Sequence, residues 1–466
     1  MHELLRHGAV RLGGLVNRGE VRAREVVEAH LQRAAELNGD LNAITDLQAD
    51  RALDLAAKVD EEYPFDEFEG YLPGVPVTVK SSIATKGFKF ECGSRMRLGQ
   101  IADRDAAVVS SIKEEGAIVI GTTNVPEFLM AYETDNAIYG RTNSPIDPSR
   151  TPGGSSGGCA AAVAAGMASA SFGSDAGGSV RVPAHFCGLY GFKPTPGFIP
   201  RSGHWPAVAG PTMLLAGVGP IAKTAVDLEF LVRIGCEADT SGDALSIPIP
   251  RAGYRPEDLS REVRVGWFDH AWDTPATAET RAAVRTAAQA LSDLGFKVDR
   301  IELEGLDAAP GLWWMMFGVC LSTLIANTVP EDYRLHPLAF DAMATVEEER
   351  EISYDDLLAG WVSRDILRSH LASQMESHPL LLCPVSAIPA FRHGEREWTV
   401  DGQTVRYPKV FSYSQVFNLF GLPAATVPVT KTADGLPIGV QIVGPPHRDL
   451  LVMDAVRHLA DGLDQP

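Results

Sequence analysis

The stretch that decides the fold runs from Thr151 to Pro194, TPGGSSGGCAAAVAAGMASASFGSDAGGSVRVPAHFCGLYGFKP. It holds ten glycines in 44 residues and presents serine in two glycine-flanked segments, Gly153–Gly158 and Gly173–Ser179. The run Cys159–Ser171 between them is small and rich in alanine, which predicts a tightly buried helix. Glycine permits positive φ angles and a close approach of the backbone to a ligand. Two such turns predict a site where backbone N–H groups hold a developing oxyanion.

The segments before this stretch alternate between strand and helix. The β-branched run Gly74–Ser82 predicts a strand that ends in a lysine, Lys80. Ala106–Glu115 has the pattern of a helix, and Gly116–Asn124 is a second apolar strand. Strand–helix–strand alternation predicts parallel pairing with helices on both faces of the sheet. We therefore predict an α/β protein.

Composition excludes several classes of function. The 466 residues carry 41 Lys and Arg against 60 Asp and Glu, a net charge of −19, which argues against a nucleic-acid partner. The six cysteines form no CxxC pair, which argues against a zinc site and a dense disulfide framework and favours a reduced, cytoplasmic setting. We expect no metal and no cofactor. The N-terminus lacks the apolar core of a signal peptide, and apolar runs fall short of the roughly 20 residues that span a bilayer. We expect no membrane anchor.

A serine nucleophile needs a base, and the sequence offers two kinds. Gly153–Gly157 matches the G-x-S-x-G elbow, but that motif follows a strand, and Pro145–Pro152 cannot form a central one. Histidines that could complete a Ser-His-Asp triad are His185, His204, His393 and His447. The other base is Lys80, since a desolvated lysine can be neutral near pH 7.

The residues then resemble a known family, the amidase signature family of serine hydrolases. The likeness covers nearly the whole chain. Beside the lysine and the two serine segments, it rests on Gly121–Asn124, Thr142–Pro145, Gly188–Thr195, Gly421–Pro423 and Gly435–Gln441. It implies a single large fold with a central twisted, mixed β-sheet flanked by helices. One departure is Ser81-Ser82, where the family commonly has Asp-Asn after the lysine.

The resemblance also implies residue roles. Ser179 looks like the nucleophile, Ser155 like a bridging serine preceded by a cis peptide bond, and Lys80 like the terminal base. The oxyanion hole would consist of the N–H groups of Ala176, Gly177, Gly178 and Ser179.

The substrate prediction is an apolar or aryl amide. Ala131–Arg141 and Pro200–Pro211 look most like the fatty acid amide hydrolase branch. The expected substrate-binding residues are Leu129, Met130, Trp205, Trp313 and Phe317. Core packing is the alternative explanation for the Trp313–Phe317 cluster. Esters and carbamates are expected side substrates, and we expect a monomer or homodimer. The alternatives are an A-type subunit of a glutaminyl-tRNA amidotransferase, or a urethanase or oligoamide hydrolase.

We divide the chain into five segments. They are an N-terminal helical segment at 1–70, the signature core at 71–235, an α/β extension at 236–309, a variable helical substrate-pocket region at 310–378, and C-terminal strands and a helix at 379–466.

Overall fold

One large β-sheet runs through the molecule. The computed structural model describes residues 3–62, 70–207, 210–248, 261–339, 352–407 and 409–464. The strands are β1 Ile44–Leu47, β2 Pro76–Lys80, β3 Ile118–Thr123, β4 Ala170–Asp175, β5 Tyr190–Lys193, β6 Gly217–Ala222, β7 Arg264–Trp267, β8 Lys297–Arg300, β9 Leu380–Pro384, β10 Glu397–Val400, β11 Gln403–Arg406, β12 Ala424–Lys431 and β13 Pro437–Val443.

The sheet is mixed, as predicted. Its eleven described strands follow the order β1-β3-β2-β4-β6-β5-β12-β13-β9-β7-β8, while β10 and β11 form a separate hairpin. Strand β2 is parallel to both β3 and β4, and β7 is parallel to both β8 and β9. Antiparallel strands join these two parallel groups, and the C-terminal strands β12 and β13 lie near the middle of the order.

Helices cover the sheet. They are α1 Ala9–Asn17, α2 Ala23–Leu41, α3 Ala49–Glu62, α4 Ala107–Glu114, α5 Gly157–Ala164, α6 Arg181–Cys187, α7 Ala225–Cys236, α8 Ala278–Asp293, α9 Ala309–Trp313, α10 Cys320–Ala326, α11 Tyr354–Met375, α12 Ser412–Leu419 and α13 Asp449–Leu463. A π-helical turn, Trp314–Val319, joins α9 to α10. Short 3₁₀ turns lie at Glu3–Arg6, Arg95–Arg97, Glu127–Leu129, Gly210–Leu214 and Lys409–Phe411.

Side-chain caps explain where several helices begin. Thr224 accepts a hydrogen bond from the N–H of Asp227 at the start of α7. Ser353 accepts from the N–H of Asp356, whose carboxylate accepts from the N–H of Ser353, at the start of α11. Such reciprocal caps satisfy N–H groups that have no partner within the helix.

Alternate side chains of β9 pack into two different cores, so both faces of the sheet are covered at this strand. Leu380 and Leu382 belong to the core that includes α1, α7 and α8, whereas Leu381 and Cys383 belong to a second core with α6, α9 and α12. All four side chains are buried. Because side chains alternate along a strand, a strand buried on both faces has an uninterrupted apolar sequence.

Two elements differ from the predictions. The buried helix expected over Cys159–Ser171 ends at Ala164, and Ala170–Asp175 is a central strand. This strand needs a glycine at position 173, because a Cβ on Gly173 would lie 2.6 Å from Ser156 Oγ. Ser412–Leu419 is a helix that the sequence did not reveal. The sequence also predicts a surface loop over Glu61–Glu69 and a connector over 237–260, and both lie partly outside the described residues. The five-segment division stays a prediction.

One helical stretch has the composition of a membrane span. Ala309–Ala326 has a mean hydropathy of 1.5 over 18 residues, longer than the apolar runs counted from the sequence. Trp313 and Met316 within it are buried in the second core. A helix packed on a protein core passes the same compositional test, so the stretch alone is weak support for a membrane span.

Candidate active site

The site forms where parallel strands end together. Lys80 is the last residue of β2, at the edge where β3 and β4 also end. The Lys80 side chain is fully buried. Its Nζ lies 2.8 Å from Ser155 Oγ, 3.1 Å from Ser174 Oγ and 3.2 Å from the Ser174 carbonyl oxygen. The lysine predicted from one segment thus meets a serine predicted from another.

Ser155 is positioned by close backbone packing. The Gly154–Ser155 peptide bond is cis, as the resemblance implied. A Cβ on Gly154 would lie 2.6 Å from the carbonyl oxygens of Ala131 and Glu133, so only glycine fits there. Ser155 precedes the buried helix α5, and its side chain is itself buried.

Ser179 lies in the turn between β4 and α6. It lines the same cavity as Ser155. The backbone carbonyl of Ser179 accepts from the N–H of Ser156 at 3.1 Å, which ties the two serine segments together. Among the described residues, no hydrogen bond joins Ser155 Oγ to Ser179 Oγ.

Three of the four predicted oxyanion-hole donors are available. No hydrogen bond of the described residues uses the N–H groups of Ala176, Gly177 or Ser179. The N–H of Gly178 instead donates to Asp175 Oδ1 at 2.7 Å. This corrects the predicted set, because a donor committed to a carboxylate is not free to hold an oxyanion.

Side chains from distant segments hold the carbonyl groups of this turn. Trp313 Nε1 donates to the Ala176 carbonyl at 2.9 Å, and Tyr132 Oη donates to the Gly177 carbonyl at 2.8 Å. Gln415 Nε2 in turn donates to Tyr132 Oη at 2.9 Å. Since the C=O and following N–H of a peptide point in opposite directions, fixing the Ala176 carbonyl also fixes the direction of the Gly177 N–H.

The cavity beside Ser179 has a volume of about 580 Å³, including its open mouth. Leu129 and Phe317, two of the expected substrate-binding residues, line it, and so does the neighbouring Phe128. Both Phe128 and Leu129 have positive φ angles, 52° and 66°. Non-glycine residues adopt such angles rarely and mostly where surrounding structure enforces them.

The other three predicted substrate-binding residues are not part of the described cavity wall. Trp313 is buried behind the turn that it holds, so the core-packing explanation fits it better. Met130 is buried in a small apolar cluster, and Trp205 packs on that cluster through Phe128. The cavity is also lined by residues that were not among the expected substrate-binding ones, including Ser174, Arg201, Pro206, Thr212, Val218 and Leu321.

Burial sets the electrostatics. It lowers the pKa of Lys80 to about 8. It also lowers the pKa of His204 to about 4, so this cavity-lining histidine is neutral near pH 7. Burial raises the pKa of Asp175, but the adjacent Arg181 guanidinium outweighs it and holds that pKa well below its usual range. A lysine with a pKa near 8 is a base whose neutral form is well populated in mildly alkaline solution.

The histidines do not form a Ser-His-Asp triad. Ring hydrogen bonds of His185 go to the backbone of Ile388 and Gly439, and those of His204 go to Ser82, Ser174 and Pro206. None of the histidines in the described residues contacts Ser155 or Ser179 by a hydrogen bond. The described residues also contain no group of three or more His, Cys, Asp or Glu placed to hold a metal.

The chain is similar to known amide-hydrolysing proteins over most of its length. The family profile described as Amidase matches residues 25–453. The chain is 32% identical to the A subunit of glutamyl-tRNA(Gln) amidotransferase from Prochlorococcus marinus (strain MIT 9313), over 91% of each chain. It is also 32% identical to indoleacetamide hydrolase of Bradyrhizobium diazoefficiens, over 96% of this chain and 84% of that one.

A solved structure of fatty acid amide hydrolase superposes with a TM-score of 0.85, covering 99% of this chain and 86% of that one. At 22% identity this likeness shows the fold alone. The match to the family profile and the two relatives at 32% identity support a family assignment in addition to the fold. The chain therefore belongs to the amidase signature family and is an enzyme that hydrolyses C–N amide bonds.

Proposed function

We propose that this enzyme hydrolyses apolar or aryl amides through an acyl-enzyme on Ser179, with Ser155 as proton relay and Lys80 as base. The observation that carries the proposal is the 2.8 Å contact between Lys80 Nζ and Ser155 Oγ, at a cavity that Ser155 and Ser179 both line. The proposed nucleophile Ser179, relay Ser155 and base Lys80 come from three segments of the chain that meet at one edge of the sheet.

The proposed reaction proceeds in two halves. Lys80 takes a proton from Ser155, Ser155 takes one from Ser179, and Ser179 Oγ bonds to the substrate carbonyl carbon. The N–H groups of Ala176, Gly177 and Ser179 stabilise the resulting oxyanion. The relay then returns the proton to the nitrogen as the C–N bond breaks. Water attacks the ester on Ser179 with the same relay as base, releasing the acid and free Ser179.

The cavity supports an apolar substrate. Phe128, Leu129, Phe317 and Leu321 form much of its wall. Its ionised side chains, among the described residues, are Asp175 and Arg201, and both have partners. Asp175 pairs with Arg181 at 3.0 Å, and Arg201 pairs with Asp243 at 2.7 Å. Neither is open to the ammonium or carboxylate of an amino-acid substrate.

The finer assignments rest on the same cavity. Esters and carbamates are easier acyl donors, and we propose them as side substrates. Urethanase and oligoamide hydrolase remain alternatives for the main activity. Placement in the fatty acid amide hydrolase branch stays a prediction, because the full-length relatives named above belong to other activities. A cytoplasmic location and a monomeric or homodimeric state also stay predictions.

A fluorophosphonate probe tests the nucleophile. We expect the wild-type protein to be labelled on Ser179, as mass spectrometry of the digested adduct would show, and Ser179→Ala to lose labelling. Ser149→Ala is the matched control, since Ser149 is an exposed serine outside the cavity whose hydroxyl donates to Asp147 and accepts from Arg392 at 3.5 Å. Undiminished labelling of Ser179→Ala would exclude Ser179 as the nucleophile.

A second candidate function is favoured by the 32% identity to the A subunit of an amidotransferase. In that role the protein would release ammonia from glutamine for a partner complex. A panel of p-nitroanilides, p-nitrophenyl esters and aryl carbamates, run beside glutamine, separates the two functions. We expect hydrolysis of the apolar substrates and none of glutamine; the reverse result would favour the amidotransferase role.

A further inference from the structure

A buried histidine is connected to Lys80 through one serine. His204 Nε2 lies 2.9 Å from Ser174 Oγ, and Ser174 Oγ lies 3.1 Å from Lys80 Nζ. The other ring nitrogen, Nδ1, lies 2.9 Å from the Pro206 carbonyl oxygen. The proposed mechanism uses Lys80 but gives neither Ser174 nor His204 a task.

The partners determine which atom carries each hydrogen. A carbonyl oxygen can only accept, so His204 Nδ1 carries the ring hydrogen and Nε2 of the neutral ring is an acceptor. The hydroxyl of Ser174 must then donate to Nε2. Its oxygen is left to accept from Lys80. Ser82 Oγ, at 3.4 Å from Nε2, is the more distant hydroxyl.

The direction of these bonds orients the lysine. A neutral amine has two hydrogens and one lone pair. Ser174 supplies two acceptors to Lys80, the hydroxyl oxygen at 3.1 Å and the carbonyl oxygen at 3.2 Å. Both N–H bonds of the neutral amine are thereby satisfied. The lone pair is left for Ser155, whose Oγ lies at 2.8 Å.

We propose that His204 is a positioning residue that fixes the direction of the hydrogen bonds around Lys80, so that the amine presents its lone pair to Ser155. Without His204 the hydroxyl of Ser174 can turn and donate to the lysine nitrogen, which occupies the lone pair that must take the proton. The inference rests on the proposed function, since it assigns His204 a role only if Lys80 is the base.

Three variants test the proposal through the rate of fluorophosphonate labelling, measured at a pH above 8 where Lys80 is mostly neutral. A base in the correct protonation state contributes about 10²- to 10⁴-fold, so we expect His204→Leu to label about 10- to 100-fold more slowly. Ser174→Ala should slow labelling by a similar factor. His204→Gln, whose amide oxygen can accept near the place of Nε2, should restore most of the rate.

The double variant distinguishes positioning from general damage. Two residues that act in one chain of hydrogen bonds are not additive. We therefore expect His204→Leu combined with Ser174→Ala to label no more slowly than the slower single variant. Multiplied losses, or a wild-type rate in His204→Leu, would overturn the proposal. If His204→Leu does not fold, a wild-type rate in Ser174→Ala overturns it equally.

His30 offers a matched control. It is also a fully buried histidine, with Nδ1 2.8 Å from the Val26 carbonyl and Nε2 3.2 Å from the Ser169 hydroxyl. The N–H of Ser169 bonds to Pro76, at the opposite end of β2 from Lys80. We expect His30→Gln to lower the thermal midpoint and leave the labelling rate unchanged.

The two proposals fail in different ways. If the proposed function is wrong, labelling survives Ser179→Ala or keeps its rate in Lys80→Ala. If only the role of His204 is wrong, Ser179 is labelled and the rate does not respond to His204→Leu.

Discussion

At the scale of single residues, the proposed role of Lys80 predicts the pH dependence of acylation. Its pKa is lowered to about 8, and only the neutral amine can accept a proton. We expect the labelling rate to rise about tenfold per pH unit well below 8 and to level off above it. A rate–pH curve with its midpoint near 8 would agree; a flat curve between pH 6 and 9 would contradict the role of Lys80.

The ionisable side chains that face Lys80 do not change their charge in the pH range of this experiment. Burial raises the pKa of Cys92 to about 12 and also raises that of Cys159, so both thiols stay neutral in the tested range. Asp175 stays ionised and His204 stays neutral. Lys80 is therefore the group whose change of charge between pH 6 and 9 should determine the curve, since none of these four side chains titrates in that range.

Lys223 is the control for this experiment. Burial lowers its pKa to about 8 as well, but its Nζ bonds to the Leu5 carbonyl at 3.1 Å. We expect Lys80→Ala to lose most of the labelling rate, Lys80→Arg to lose it as completely because the guanidinium stays charged, and Lys223→Ala to keep the curve.

The sequence predicted some site residues and not others, for a physical reason. Lys80 and Ser155 belong to local patterns, a strand end and a glycine-rich turn, so each was found before any contact was known. Trp313 was identified as apolar, but its hydrogen bond to Ala176 spans 137 residues of chain and leaves no local pattern. His204 was considered as a triad base, and only the positions of Ser174 and Pro206 show its actual partners.

At the scale of elements, the turn between β4 and α6 admits no added side chain at Gly177. A Cβ there would lie 2.3 Å from Trp313 Cζ2 and 2.9 Å from Tyr132 Oη. Both rings are held by their own hydrogen bonds, so the turn must move. Because a displacement of about 1 Å can reduce a rate about 10²-fold, we expect Gly177→Ala to slow fluorophosphonate labelling by about that factor.

Gly39 in α2 is the matched control, since a Cβ there meets nothing within 4 Å. We expect Gly39→Ala to label at the wild-type rate and to gain up to about 1 kcal/mol of stability, as alanine favours a helix over glycine. A wild-type labelling rate in Gly177→Ala would show that the position of the turn does not limit acylation.

Element types were predictable where the apolar pattern was long. The apolar spacing near the C-terminus predicts a helix over Asp449–Leu463, and α13 has those bounds. Strand β4 was missed because Ala170–Asp175 contains glycine, serine and aspartate, which intrinsic propensity places in turns. Its strand conformation is enforced by β2 and β6 on either side, which the sequence cannot show.

At the scale of the whole molecule, Arg181 connects the turn between β4 and α6 to the C-terminal strands and helices. Buried Arg181 pairs with Asp175 at 3.0 Å and donates to Gln441 in β13 at 2.8 Å. It also donates to the Ser414 carbonyl at 3.1 Å and to Asn418, both in α12. One guanidinium thus satisfies acceptors from three parts of the chain.

Lysine cannot replace this fork of five donors. Lysine keeps the charge but leaves several of these buried acceptors without a donor, which costs about 1–3 kcal/mol for each. We therefore expect Arg181→Lys to lower the free energy of unfolding by about 2–4 kcal/mol, with a lower urea midpoint. The exposed pair Arg264–Asp299, with 48% and 39% of its side chains exposed, is the control. Arg264→Lys should change stability by less than about 1 kcal/mol. Equal losses in both variants would show that burial of Arg181 adds nothing.

The strand order also has a consequence for synthesis of the chain on the ribosome. Strand β5 pairs with β12, whose first residue is Ala424, and β9 pairs with β13, which ends at Val443. Until those last segments leave the ribosomal exit tunnel, β5 and β9 each lack a neighbour and present unpaired N–H and C=O groups. Such an open edge is a template for pairing with another chain. The newborn polypeptide is therefore exposed to aggregation from the time that β9 has emerged until β12 and β13 have followed it.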